Sequence, residues 1–167
     1  MSTRVPMSGS VRDLGVILDS RLTVVDQVAA ACRSGYYQLC QTRSVVRSLS
    51  AEGTKAMVHA FISCRLDYCN SLLTEISDGL LRRLQSVQNA AARLVTGTHR
   101  CEHISLVLRQ QHWLPVRQRI RYKLTTLVQR TLSGQAPDYF IDDCQRVADS
   151  GRRTLQSSGR CLCTTTL

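Results

Sequence analysis

The side chains of this chain with the most chemical potential are its cysteines, its histidines and one pair of aspartates. The stretch SCRLDYCNSLL, Ser63 to Leu73, sets Cys64 and Cys69 beside Arg65, Asp67 and Tyr68. Two thiols alone do not make a zinc site, which takes four ligands, and no other residues pair with them at a recognisable spacing. A Cys–His nucleophile needs an imidazole within hydrogen-bond reach. His59 lies five residues before Cys64, a separation that keeps two side chains apart on a helix. Free cysteine is one of the most buried residue types, and Cys64 sits near an apolar helix face, so core packing is the expectation for it.

His99, Cys101 and His103, with His112 further on, are the nearest approach to a metal cluster. No CxxC or HxxxH accompanies them, and the pattern reads as a polar inter-helix loop with ordinary histidines. No metal and no other cofactor is expected. YFIDDC, Tyr139 to Cys144, offers an aromatic-x-Asp-Asp pattern, in which adjacent carboxylates can hold magnesium ions for nucleotide transfer. That chemistry also needs a third carboxylate on a neighbouring strand and apolar strands on both sides. Here the flanks are GQAPD and QRVAD, which read as a helix start and a polar helix, so no catalytic residue is assigned.

The elements that would carry these residues are mostly helical. Val11–Asp19 reads as a strand, with Gly15 marking a bulge or a close backbone approach. Thr23 with Asp26 resembles a capping box, and Val28, Cys32, Leu39 and Val46 follow at helical spacing. Ser50 caps a second helix with an apolar face of Met57, Val58, Phe61, Ile62 and Leu66. After a connection over 67–76, Ser77 caps a third helix. Its stripe of Leu80, Leu84, Val87, Ala91, Leu94 and Val95 is the cleanest in the chain, and Gly97 stands where a helix-ending glycine belongs. Arg82, Ser86, Asn89 and Arg93 share its opposite face. A short helix is expected around Ile104–Gln110. Pro115 then opens a long helix that ends at Gly134. Its core face is Val116, Ile120, Leu124, Leu127 and Val128, and Arg119, Lys123 and Arg130 share a flank. A last helix is expected over Tyr139–Ala148. The fold class is therefore mostly α: a bundle of five or six helices preceded by a short β-element and followed by a disordered tail.

Composition bounds the partners. The apolar fraction of 43% supports a real core. A net charge of +10 points to a polyanion, nucleic acid first, and all the basic residues but Lys55 and Lys123 are arginines, which suit bidentate phosphate contacts. No stretch is long and apolar enough to cross a bilayer, and the N-terminus has no signal-like apolar core, so no membrane is expected. Eight cysteines without such a signal suit a reducing compartment, cytoplasmic or nuclear.

Five segments in order, VRDLGVILDSRLT, LSAEGTKAMVHAFISCRLDYCNSLL, LQSVQNAAARLVTGT, EHISLVLRQQHWLPVRQRIRYKL and LSGQAPDYF, closely resemble the region after the palm in reverse transcriptases of LINE-type (non-LTR) retrotransposons, in particular the jockey and chicken-repeat-like group. The resemblance implies a primer-grip-like hairpin at Leu14 and Gly15, thumb-like helices after it, and a helical connection from His103. It divides the chain into a primer-grip strand with thumb helices over 11–96 and a connection over 97–148, while composition makes 1–10 flexible and 149–167 a disordered tail. The family's catalytic aspartates lie upstream of the primer grip, so the order sets Asp142 and Asp143 outside its active site. This sequence departs from the pattern at Gly53, Cys64 and Cys101.

What the resemblance implies is a truncated remnant, without the catalytic palm or the endonuclease, that binds a nucleic-acid backbone weakly and without sequence preference. RNA, DNA and RNA–DNA duplex are the expected partners, with Arg82, Arg93, Arg119, Lys123 and Arg130 as phosphate contacts. Self-association through an apolar patch is a further expectation, since a thumb leans on a palm. The alternatives are a host-adopted helical adaptor without catalysis and, last, an enzyme using the Cys/His or Asp residues.

Overall fold

The computed structural model describes residues 9–143, of which 141–143 by their backbone alone. The expected disordered tail, residues 144–148 of the expected last helix and most of the expected flexible N-terminus lie outside the described residues. The chain forms two compact units, Met1–Ile120 and Arg121–Leu167. The first thus takes in the Ile104–Gln110 helix, which the sequence reading placed in the connection.

The first unit opens with a hairpin of β1, Ser10–Asp13, and β2, Val16–Asp19, rather than the single strand read from the sequence. The strands are antiparallel, with Asp13 opposite Val16 and Ser10 opposite Asp19. Leu14 and Gly15 form the turn at φ 43° and 82°. Positive φ at both central residues matches the twist of a two-residue hairpin. Gly15 also meets the close approach expected of it: a Cβ there would stand 3.3 Å from the Tyr68 hydroxyl. Only Val16 of the hairpin is buried, and the Ile17 amide donates to Gln27 Oε1 at 2.9 Å, tying β2 to the next helix.

Helix α1, Val25–Val45, buries Val28, Cys32, Gly35, Leu39 and Thr42 along one stripe. It begins without the expected capping box. The Thr23 amide and hydroxyl both donate to the Asp19 carboxylate, so Thr23 is taken up in closing the turn after β2. The residue before the helix is Val24, at φ 50°, a strained conformation for a β-branched side chain. A single 3₁₀ turn, Val46–Ser48, ends this element, which is why Val46 leaves the helical stripe.

Helix α2, Ala51–Asp67, starts as read: Ser50 Oγ accepts from the Gly53 amide at 3.1 Å. Val58, Ile62 and Leu66 are buried on it, whereas Phe61 is exposed. A 3₁₀ turn, Asn70–Leu73, leads to α3, Asp78–Thr96. Leu84, Val87 and Ala91 are buried on α3 as the stripe requires, and Leu80, Leu94 and Val95 pack half-buried beside them. Gly97 ends α3 at φ 69°, its amide donating to the Arg93 carbonyl at 2.9 Å. Ser77 precedes α3 but caps it through its carbonyl rather than its side chain.

Helices α1, α2 and α3 pack pairwise, and α4, Ile104–Gln110, adds Val107 and Leu108 to the same core. Helices α1 and α3 approach closely at Gly35. A Cβ there would lie 2.6 Å from Val87 Cγ1, so only glycine lets the helices meet at this depth. Helix α5, Val116–Leu132, contributes Val116 and Ile120.

In the second unit the rest of α5 is followed by α6, Asp138–Asp143. Leu127 and Val128 are half-buried, while Leu124 is exposed, contrary to the core face read from the sequence. Among the described residues this unit adds only the short α6, too little surface to cover a full stripe. The end of α5 is a Schellman arrangement, with Gln135 N donating to the Arg130 carbonyl and Gly134 N to that of Thr131.

Candidate nucleic-acid interface

The stretch SCRLDYCNSLL resolves into the last turn of α2 and the 3₁₀ turn after it, and its residues hold structure together. Leu66 is buried as expected. Tyr68 is half exposed, but its hydroxyl donates to the Leu14 carbonyl and its ring covers Gly15. The hairpin turn is thereby fastened to the end of α2. Asp67 pairs with Arg119 from the start of α5, not with its neighbour Arg65; Arg119 Nη1 lies 2.8 and 3.0 Å from the two carboxylate oxygens. Cys64 is exposed rather than packed in the core, because the buried stripe of Val58, Ile62 and Leu66 runs along the other side of α2. Its neighbour in sequence, His59, faces the Trp113 ring at a centroid distance of 5.7 Å. Cys69 is half-buried at φ 49°.

The histidine-rich loop shows no convergence. Among the described residues no three His, Cys, Asp or Glu side chains come together in a way that could hold a metal ion. Cys101 is exposed, His103 precedes α4, and His112 sits at φ 54° in the turn before Trp113. The Asp142–Asp143 backbone is helical, whereas an aromatic-x-Asp-Asp metal turn joins two strands.

The cationic residues separate sharply. Arg82 is exposed on α3. Lys123 and Arg130 are exposed on the second-unit part of α5. Arg119 differs from expectation. Its side chain is only 12% exposed, and besides the Asp67 ion pair its Nε donates to the Leu114 carbonyl at 2.9 Å. Its Nε and Nη1 donors lock the start of α5 to α2, so among the described residues Arg119 is already engaged in an ion pair where Lys123 and Arg130 are not. The HWLPV segment is anchored from the other side as well: buried Gln88 donates to the Leu114 carbonyl at 2.8 Å, and Gln85 Oε1 accepts from the Val116 amide at 2.9 Å.

Arg93 is half-buried, beside a groove of roughly 570 Å³ between α1 and the C-terminal half of α3. Arg43 of α1 and Arg100 of the following loop line the same groove. Sequence reasoning passed over both. Their one sequence signal is Gly35, which permits the close helix crossing that brings α1 beside α3. Tyr36 closes one end of the groove, its hydroxyl 2.9 Å from Ser86 Oγ. On the buried face of α1, burial pushes the Cys32 thiol pKa up, with Arg83 partly offsetting it, which disfavours its reactive thiolate form.

No protein-family model, curated protein or solved structure matches the chain.

Proposed function

We propose that this chain is a thumb-and-connection module of the LINE-type reverse-transcriptase kind, which holds nucleic acid by its backbone and performs no catalysis of its own. The observation that supports this reading is an un-neutralised cationic surface. Among the described residues only Arg117 and Arg119 have carboxylate partners, Asp78 and Asp67. Arg82, Arg43 and Arg100 stay exposed without one, in a chain of net charge +10. Such charges attract phosphates irrespective of base, which is the chemistry of backbone recognition. The fastening of the Leu14–Gly15 turn to Tyr68 suits a primer-grip-like role, in which a hairpin must be held stiffly against the helices.

The test is a titration of the whole chain against an RNA–DNA duplex at several salt concentrations. Wild type should bind with a steep salt dependence, and Arg82→Ala should reduce the log–log slope by about 0.9, one phosphate contact. The same preparation should extend no primed template with magnesium or manganese. Absence of duplex binding at low salt would sink the reading. It would leave the adaptor alternative, which has one observation in its favour: the apolar side chains of Leu14, Leu22 and Leu72 stand exposed near the hairpin.

A further inference from the structure

We infer that the groove between α1 and α3 is a seat for phosphate groups, built on Arg43, Arg93 and Arg100. Three features of its construction carry this. First, its lining is one-signed: three guanidinium groups and no carboxylate. Like charges gathered round one concavity repel each other, and an anion in the groove relieves that cost. Second, Arg93 is half-buried on the groove wall and, among the described residues, pairs with no carboxylate, so its guanidinium has lost part of its hydration while its charge stays un-neutralised. Phosphate is the anion whose paired oxygens match a guanidinium fork. Third, Ala90 and Gly97 are among the lining residues and carry little or no side chain, which leaves room between the arginines. The groove lies at the C-terminal end of α3, whose dipole disfavours anions by itself, so the selectivity rests on the arginines.

The shared chemistry is a run of phosphates, whether along a nucleic-acid strand or in a free polyphosphate. Only the choice of strand as its source rests on the proposed function above. Cys40 provides a reporter. It is exposed and lines the groove, so an occupant should slow its alkylation, while Cys64, exposed on α2, serves as an internal control.

The experiment follows iodoacetamide labelling of Cys40 and Cys64 by peptide mass in the full chain, with oligothymidylate or tripolyphosphate added at low salt. Protection of Cys40 but not Cys64 is the expected result. Protection by both probes means that the seat reads phosphate itself, and protection by oligothymidylate alone means that it reads a strand. Arg43→Ala with Arg100→Ala, both at exposed positions, should weaken protection by about tenfold for each arginine. Arg93→Lys keeps the charge and removes the fork, so it should weaken protection without unfolding the chain. If neither probe protects Cys40, or if both variants are protected like wild type, the seat does not exist. Duplex binding without Cys40 protection would overturn the groove and spare the proposed function; tripolyphosphate protection without duplex binding would do the reverse.

Discussion

Tyr68 shows how a single side chain can set the position of a whole element. Its ring covers Gly15 and its hydroxyl donates to the Leu14 carbonyl, across more than fifty residues of sequence. Tyr68→Phe keeps the ring and deletes the donor. The expected cost is about 1 kcal/mol or less, the worth of one part-exposed hydrogen bond. The sharper readout is local: hairpin amides should exchange faster with solvent while those of α3 do not. Equal exchange would mean that the ring alone holds the turn. Asp19 works in the same region. The Thr23 hydroxyl, then the Thr23 amide and lesser contributions from Arg21, hold its carboxyl below the ordinary value of 3.8. A carboxyl depressed in the folded state contributes stability above its unfolded pKa and loses it as pH falls through the folded one. The chain should therefore lose part of its stability only below about pH 4, and Asp19→Asn should flatten that part of a melting-temperature profile against pH. An identical profile for the variant would assign the acid sensitivity elsewhere.

Helix α3 is the element on which the first unit is assembled, since α1, α2 and α4 all pack against it. Leu84 is 1% exposed at the centre of its stripe. Leu84→Ala should cost about 2–5 kcal/mol, measured by denaturant unfolding, because the α1–α3 contact leaves little freedom for the cavity to collapse. Gly35→Ala tests the contact itself. Alanine favours a helix over glycine by about 1 kcal/mol. The 2.6 Å approach to Val87 Cγ1 should reverse that sign, since overpacking costs about 1–3 kcal/mol. Adding Val87→Ala should recover part of the loss, and a stabilised Gly35→Ala would show that the helices can move apart. The stripe of α3 and its Gly97 end were legible in the sequence because burial periodicity and C-capping are local properties. The start of α1 was not legible, because Thr23 had two partners in reach and Asp19 won.

For the whole molecule, surface character decides behaviour. Leu14 is 84% exposed on the hairpin turn, and Leu22, Val25 and Leu72 stand exposed around a groove of roughly 400 Å³ between the start of α1 and the turn before α3. An apolar patch of this kind on a chain otherwise rich in arginine should drive concentration-dependent association. Sedimentation velocity at rising concentration is expected to show it, and Leu22→Ser with Leu72→Ser should shift the chain toward monomer. A wild type that stays monomeric throughout would show that the patch is too small to matter.

The sequence by itself determined the helical class of this protein, the position of α3 and α4 and the charge that any partner must complement. These follow from the spacing of apolar residues and from composition, which act over one or two helical turns. It did not determine which arginines remain available. Arg119 shared a flank with Lys123 and read as equally free, yet it is held by Asp67 from 52 residues away. Arg43 and Arg100 drew no notice, yet they stand round one groove with Arg93. The partner of a polar side chain depends on where another helix crosses; for the Arg43–Arg93–Arg100 groove that is the α1–α3 contact, where Gly35 carries no side chain to hold the helices apart. Only the tertiary structure could decide it.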